Sequence, residues 1–468
     1  MARLEGVTAK VHTLRAEAKR PGAAATLAPR NAYGENGKTR FDAAPARGAK
    51  GVALRGDRVG LLPLRSGKVA LRAIEAWDES SGIGKDQARK KQEHVAGKAS
   101  QLVDAYPFLM MKVDLAPEGA YYAMSQLVKG VDSPEATLVG DPHSTNFGSV
   151  PSPDRKRVVY GVIDGTKAGR GRIEADLHRL ATTTVIEAVR AKSTSAQAVA
   201  LLPGLADAYF SELRQFVKSG KRPPAFIDEG ELGAQSPVKG LLKKAGETDP
   251  NKAVKKYADG KRFTDDFHLH GKKERRRVAD AFVAALPEKW KGRVDVLDVG
   301  SKVDVGGSNS GMTHYLLLAR VKPPGEHKAT VVFEVKQVIP APSRSDSGSP
   351  QKASAKDTVN SSKTVSPFKD ALAVPMTLRG LPYIVEPYDA QKKSVDPTSL
   401  HLPDQGRLAN DNGRVLARVH AQTVDRASLA AWLQRVDDEA TDRLSDFAQI
   451  YGTQQTAVDA QTVKAAVR

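Results

Sequence analysis

Val139-Gly140-Asp141-Pro142-His143-Ser144-Thr145-Asn146-Phe147-Gly148, followed after an apolar run by Ile163-Asp164-Gly165, is the stretch on which the fold turns. Asp141 and Asn146 are separated by four residues on a turn punctuated by Gly and Pro. Asp164 closes the run Val-Val-Tyr-Gly-Val-Ile163, as a carboxylate at the end of a buried strand does, and loops leaving apolar strands are where functional carboxylates sit. One at a time, Asp141 and Asn146 are ordinary turn formers and Asp164-Gly165 is a hairpin turn. Together, in this order and spacing, they match what phosphoryl transfer needs. One carboxylate accepts or orients a hydroxyl proton, and a second carboxylate with an amide oxygen holds Mg²⁺ against phosphates.

Outward from this stretch the pattern alternates in blocks. Residues 86–130 read as helical, and Ala136–Val139 and Arg157–Ile163 read as short strands flanking the motif. From Glu174 to about Leu286 apolar residues recur at helical spacing, as in Leu177, Leu180, Ala181, Thr184 and Val185, and Tyr209, Phe210 and Phe216 fall on the same core-facing pattern. The period then changes. Val294–Val305, Met312–Val321 and Ala329–Val338 are rich in Val and Leu and punctuated by Gly and Pro, as in a meander of antiparallel strands. After Tyr383-Ile-Val-Glu-Pro387 the chain is helical again from about Asp411 to Ala421. A helical body with a small strand-rich insertion is an α+β, two-lobed pattern. Residues 1–60 read as a basic, partly disordered arm, and Pro340–Ser366 has the composition of a flexible surface loop. The resulting division is 1–60, the arm; 61–290, a large catalytic region; 291–390, a strand-rich region with the insert 340–366; and 391–468, helices returning to the large region.

The 468 residues are 40% apolar and 27% charged, enough for a sizeable core with an ordinary soluble surface. No run of about 18 apolar residues occurs, so no membrane span is expected. Met1–Arg20 is charged throughout and has no apolar signal region. The absence of cysteine excludes disulfides, thiolate zinc sites and cysteine nucleophiles, and fits a cytoplasmic protein. A net charge of +18 favours anionic partners: ATP, anionic membrane, or nucleic acid through non-specific surface affinity. The cluster Lys272-Lys-Glu-Arg-Arg-Arg277 reads as the solvated face of a helix continuing to Leu286. No zinc finger, RNP-type aromatic pattern or helix-turn-helix signal supports nucleic-acid readout. His268-Leu-His270, beside Asp265 and Asp266, lacks a third ligand at zinc spacing, and neither Gly-x-Ser-x-Gly nor His-Glu-x-x-His occurs.

Gly140-Asp141-x-His143-x-x-Asn146 resembles the His-Gly-Asp-x-His-x-x-Asn catalytic loop of aminoglycoside phosphotransferases and related kinases. Ile163-Asp164-Gly165 resembles their metal-binding Ile-Asp-Trp or Asp-Phe-Gly element. More closely, Val139–Gly148 with Glu174-Ala-Asp-Leu-His-Arg-Leu-Ala181 resembles the bacterial DUF2252 family, with its Gly-Asp-x-His-x-x-Asn-Phe-Gly followed by Trp-Asp-Leu-Lys-Arg-Leu; the likeness covers roughly residues 90–430, in patches. The resemblance implies that Asp141 is the catalytic base and that Asn146 and Asp164 are metal ligands. It also implies that Asp176 braces the loop from a following helix and that His143 shapes the loop by hydrogen bonding. The family's Asn-Asp-Phe-Asp-Glu segment is here Ile-Asp-Gly-Thr-Lys167, which keeps only the first acid, Asp164.

Val305-Gly306-Gly307-Ser308-Asn309-Ser310-Gly311 lies between strand-like segments, where backbone N–H groups can cradle phosphates, although hairpin turns use the same residues. Lys336, in Val331-Val-Phe-Glu-Val-Lys336, sits on the next strand, as the kinase phosphate-binding lysine does. Gly306, Gly307, Ser308, Gly311 and Lys336 are therefore the expected ATP contacts, with Glu386 in the hinge-like Tyr383-Ile-Val-Glu-Pro-Tyr388. Leu416-Ala-Arg-Val-His-Ala421 resembles the Leu-Ala-x-Leu-His helix that precedes the catalytic loop in aminoglycoside kinases. The motif order is the kinase order circularly permuted, which implies a bilobal, protein-kinase-like fold with a helical large lobe and a small antiparallel-sheet lobe. Kinases pair the strand lysine with a helix glutamate. Between Lys336 and Glu386 there is no Glu, and Asp370 is the best substitute. The expected activity is ATP- and Mg²⁺-dependent transfer to a hydroxyl of an unspecified small-molecule or protein acceptor. Transfer of AMP by the same scaffold, and a catalytically inactive nucleotide- or polyanion-binding protein, remain alternatives; the oligomeric state is not readable.

Overall fold

The computed structural model describes residues 133–152, 156–264, 267, 271–303, 313–322, 328–338, 354–368, 372–436, 440–442 and 444–445, all within one compact unit. The expected arm 1–60, the helical stretch 86–130, the 306–311 glycine run, His268, His270 and Asp370 lie outside the described residues.

The first four strands are nested hairpins. They are β1 (Glu135–Leu138), β2 (Phe147–Pro151), β3 (Val158–Val162) and β4 (Gly169–Arg172). β1 pairs antiparallel with β4, closing at Leu138 opposite Gly169, and β2 pairs with β3, closing at Phe147 opposite Val162. The loops 139–146 and 163–168 therefore leave the strands side by side. This topology, which the short strands alone do not announce, sets Asp141 and Asn146 against Asp164.

Helices α1 (Ile173–Arg190), α2 (Ser195–Val199) and α3 (Leu202–Ser219) follow, then β5 (Phe226–Ile227), which adds to β3, and α4 (Pro237–Gly246) and α5 (Lys252–Tyr257). The hairpin β6 (Ala258–Asp259) and β7 (Arg262–Phe263) and helix α6 (Lys272–Ala285) lead into β8 (Val294–Val303), β9 (Thr313–Val321) and β10 (Ala329–Gln337). Helix α7 (Ala355–Val365), strands β11 (Val374–Leu378) and β12 (Leu381–Pro387), and helices α8 (Leu402–Ala421) and α9 (Arg426–Leu433) complete the α+β fold. The long strands form one antiparallel sheet in the order β11-β12-β10-β9-β8. Among the described residues no helix is long and apolar enough to cross a membrane.

Among the described residues two large hydrophobic cores result. The first joins Phe147 and Tyr160 of the hairpin to Leu177, Leu180, Tyr209, Leu213, Leu416 and Trp432 of the helices. The second lies between α6 and one face of the large sheet, where Val278 and Phe282 meet Leu317, Phe333, Val335 and Val385. Strand alternation sends Val332, Glu334 and Lys336 to the opposite face. There Val332 joins Leu316, Leu318, Tyr257 and Phe263 in a smaller cluster.

Two sequence expectations are corrected. The end of the supposed flexible loop 340–366 is a helix, α7, with Ser354 Oγ accepting from Asp357 N as its N-cap. Its buried face is Ala355, Thr358, Val359, Ser362 and Val365, at helical spacing but built from small residues, so the stretch reads as low complexity. Helix α8 begins at Leu402 rather than near Asp411. Pro403 sits in its first turn, where no N–H partner is lost. Gly406 and Gly413 interrupt its apolar pattern, and Gly413 lets α8 approach α3, since a Cβ there would lie 2.8 Å from Leu205 O.

These two glycines separate packing from propensity. Gly406→Ala meets only Leu201 Cδ2 at an ordinary 3.5 Å, so it should stabilise the protein by about 0.5–1 kcal/mol. Gly413→Ala should instead destabilise it by about 1–3 kcal/mol, because the helices must move apart. Urea denaturation of the two variants checks both signs.

Candidate active site

Gly140 has φ +77°, and a Cβ there would lie 2.2 Å from Lys167 O, so the loop reverses here only because the residue is glycine. From that point the motif is held residue by residue along one stripe of α1. Asp176 Oδ2 accepts from Val139 N at 2.7 Å and Oδ1 from Gly140 N at 3.0 Å. Arg179 donates to Asp141 Oδ1 through Nε at 3.1 Å and Nη2 at 2.6 Å. Thr183 Oγ1 donates to Pro142 O at 3.3 Å. Glu187 accepts from Ser144 N at 3.3 Å and from the Ser144 hydroxyl. These four α1 residues are all buried, and buried polar groups persist only when paired.

Helix α8 closes the loop from behind. His420 Nε2 lies 3.2 Å from Asp176 Oδ2, and Tyr209 OH lies 2.8 Å from His420 Nδ1. The tautomer that satisfies both contacts donates to the carboxylate and accepts from the phenol. Asn412 donates to Ser144 Oγ at 3.2 Å and accepts from Tyr160 OH at 2.5 Å.

Within the loop, His143 is buried, with Nδ1 2.8 Å from Thr145 Oγ1 and Nε2 3.8 Å from Asp141 Oδ2. Asn146 Nδ2 donates to Asp141 O at 2.8 Å, which turns its amide oxygen away from that bond. The neighbouring loop is anchored to the first by Ile163 N donating to Asn146 O at 3.0 Å. Asp164 Oδ1 accepts from Thr166 N and Oγ1 at 2.9 and 2.7 Å, while Oδ2 lies 3.6 Å from Lys336 Nζ.

Lys336 has a carboxylate environment, although none of its partners is the helix glutamate of kinases. Besides Asp164, its Nζ lies 3.4 Å from Glu334 Oε2 and 3.8 Å from Glu386 Oε1. Glu334 stands directly opposite Glu386 across β10 and β12, and it shares a strand face with Lys336 two residues on. Burial works to lower the lysine pKa, but Asp164, Glu334 and Glu386 together carry it well above the ordinary value.

Asp141, His143, Asn146, Asp164, Lys336 and Glu386 are thus joined by loop bonds and ion pairs, while Gly306, Gly307, Ser308 and Gly311 lie outside the described residues. Sequence reasoning missed Arg179, Glu187, Asn412 and Glu334. The signals were polar residues at positions 176, 179, 183 and 187, which fall along one side of the helix, and strand alternation for Glu334.

An α+β chain with a helix-braced Gly-Asp-x-His-x-x-Asn loop defines the class of protein at hand. A family model described as an uncharacterized protein conserved in bacteria (DUF2252) matches residues 110–464, and the chain belongs to that family. No curated protein and no solved structure matches it.

Two stability predictions follow from the α1 stripe. Asp176→Ala leaves two buried N–H groups and His420 without an acceptor, and should cost about 3–5 kcal/mol in urea denaturation. His178, buried on the same helix, has its pKa lowered to about 4, chiefly by burial and against a backbone hydrogen bond to Glu174. The unfolded chain therefore binds the extra proton first. This contribution is complete above about pH 6.5 and is lost as pH falls toward about 4, amounting to about 3 kcal/mol. His178→Gln should flatten the fall in stability across that window.

Proposed function

We propose that this protein is an ATP- and Mg²⁺-dependent phosphotransferase with a circularly permuted, bilobal protein-kinase-like fold. The observation that carries the reading is the 3.6 Å approach of Lys336, from the third strand of the large sheet, to Asp164, beside the Asp141–Asn146 loop. Kinase chemistry needs that convergence of a third-strand lysine, a metal-binding Asp and a loop Asp–Asn pair. Helix α7 between β10 and β11 further supports it, since it occupies the chain position of the helix that follows the kinase lysine strand.

The residues suit Mg²⁺. The Asn146 amide oxygen and the Asp164 carboxylate are hard oxygen donors, and among the described residues no group of three or more His, Cys, Asp or Glu could hold a metal ion by itself. A cation here would therefore take its remaining ligands from phosphates and water, as Mg²⁺ does. When bound, the ion offsets charge on the nucleotide phosphates. Asp141, oriented by Arg179, takes the hydrogen bond of the acceptor hydroxyl and receives its proton. Lys336 donates to phosphate oxygens, with Glu334 and Glu386 setting its position. His143 and Asp176 hold the loop.

Incubation with [γ-³²P]ATP or [α-³²P]ATP, Mg²⁺ and a panel of small molecules and cell-extract proteins tests this. Label should pass to an acceptor from the γ position only. Asp141→Asn should lower the rate by about 10²–10⁴-fold, and Lys336→Met and Asp164→Asn should weaken Mg²⁺-dependent nucleotide binding. Transfer from the α position would make the reaction AMP transfer. Nucleotide binding that ignores Mg²⁺, with no effect of any of the three substitutions, would sink the enzymatic reading.

A further inference from the structure

Helix α7 reaches both halves of the proposed site. Its first turns pack on the large sheet, where Ala355 and Val359 form a small apolar cluster with Val338 and Ile384. Ile384 stands directly opposite Lys336 across β10 and β12. Its last turn enters the first core through Val365. The chain then runs onto the nested hairpin, where Ser366 Oγ donates to Val162 O at 2.9 Å. Pro367 follows so closely against Gly161 that a Cβ there would lie 2.8 Å from Pro367 Cγ. Phe368 is held at φ 53°, a costly conformation for a bulky residue. Its ring centroid is 5.4 Å from that of Phe226, and the Arg157 guanidinium lies over both rings. The end of the helix is thus pinned beside the Asp164 loop.

Between these anchors lies Ser362, which is fully buried and whose hydroxyl has no hydrogen-bond partner among the described residues. Two other hydroxyls of α7 bond to their own helix: Thr358 Oγ1 donates to Ser354 O at 2.9 Å and Thr364 Oγ1 to Asn360 O at 3.3 Å. Ser362 Oγ points instead at Gly165, the residue after Asp164. A Cβ on Gly165 would lie 2.6 Å from that oxygen and 3.0 Å from Val365 Cγ2, so the loop backbone rests directly on the helix. A buried hydroxyl without a partner destabilises the free protein, and a second state of the loop that supplies one recovers the cost. The proposed reaction contains such a state. In the free protein Asp164 Oδ2 lies 3.6 Å from Lys336 Nζ, while Oδ1 accepts from Thr166 N and Oγ1. Phosphate on Lys336 and a cation on Asp164 would part the ion pair and compete with Thr166 for the carboxylate.

We propose that Ser362 is a positioning residue for Asp164: its hydroxyl, idle in the free protein, accepts from a backbone N–H of the Asp164–Thr166 turn once Asp164 leaves Lys336. Helix α7 then holds the loaded form of the loop. This deepens the phosphotransferase reading and rests on it.

Urea denaturation and ligand titration of full-length Ser362→Ala beside the wild type test the proposal. Without ligand the urea midpoint should be unchanged or higher, because alanine removes only an unpartnered hydroxyl and favours the helix. A lower midpoint would mean that the hydroxyl is already bonded, and overturns the proposal. A non-hydrolysable ATP analogue with Mg²⁺ should bind the variant about three- to tenfold more weakly, the loss of one hydrogen bond, and the two proteins should not differ in EDTA. Ser366→Ala is the contrast. Its hydroxyl is bonded in the free protein, so its midpoint should fall while its Mg²⁺-dependent gain in affinity stays at the wild-type value. A difference between Ser362→Ala and wild type that persists in EDTA overturns the proposal, since the loss is then not tied to Asp164. Equal Mg²⁺-dependent affinity overturns it too and leaves the phosphotransferase reading standing. If the wild type binds no nucleotide, that reading fails, and Mn²⁺ titration followed by electron paramagnetic resonance decides on Ser362. Weaker Mn²⁺ binding in Ser362→Ala upholds its role at Asp164; equal binding, or none, overturns it.

Discussion

The Asp176 carboxylate is the constraint on which the rest of the site depends. Buried on the first turns of α1, it accepts from the N–H groups of Val139 and Gly140 and faces His420, 244 residues away in sequence. A carboxylate so deeply placed is tolerable only because it meets three donors; without them its desolvation would outweigh any single contact. Once it is fixed, the exit of β1, the start of α1 and the end of α8 are fixed relative to one another. The α1 stripe then acts as a ruler. Arg179, Thr183 and Glu187 follow at helical intervals and meet Asp141, Pro142 and Ser144 in turn. The helix that packs the first core with Leu177 and Leu180 thereby also sets the orientation of the 139–146 loop.

That division of labour explains what the sequence disclosed. The loop and Asp164 were legible because their chemistry is written in contiguous residues, and the apolar face of α1 because 3.6-residue periodicity is local. The nesting of β1–β4 around β2–β3 was not, since it depends on strand pairing across the motif rather than on any residue within it. Helix α7 hid because its inward face is Ala, Thr, Val and Ser, residues that carry little hydrophobic signal. The first turns of α8 hid behind Pro403, Gly406 and Gly413, the last of which reports a close helix approach rather than a break. The partners of Lys336 were sought on a helix by analogy, whereas β-strand alternation had already placed Glu334 on the lysine's own face.

The charge arrangement gives the site a direction. A protein with a net charge of +18 surrounds its central lysine with three carboxylates, Asp164, Glu334 and Glu386, so this interior point is negative before any ligand arrives. In the proposed phosphotransferase a nucleotide triphosphate would add further negative charge there, so its entry would be coupled to positive charge brought with it, which Mg²⁺ held by Asn146 and Asp164 would supply. Elsewhere the surplus of basic residues is spread along the chain, as in residues 239–256, where six lysines face two acids. A pocket that is negative when empty and takes its anion only together with a cation would, in the proposed reaction, tie nucleotide binding to the metal.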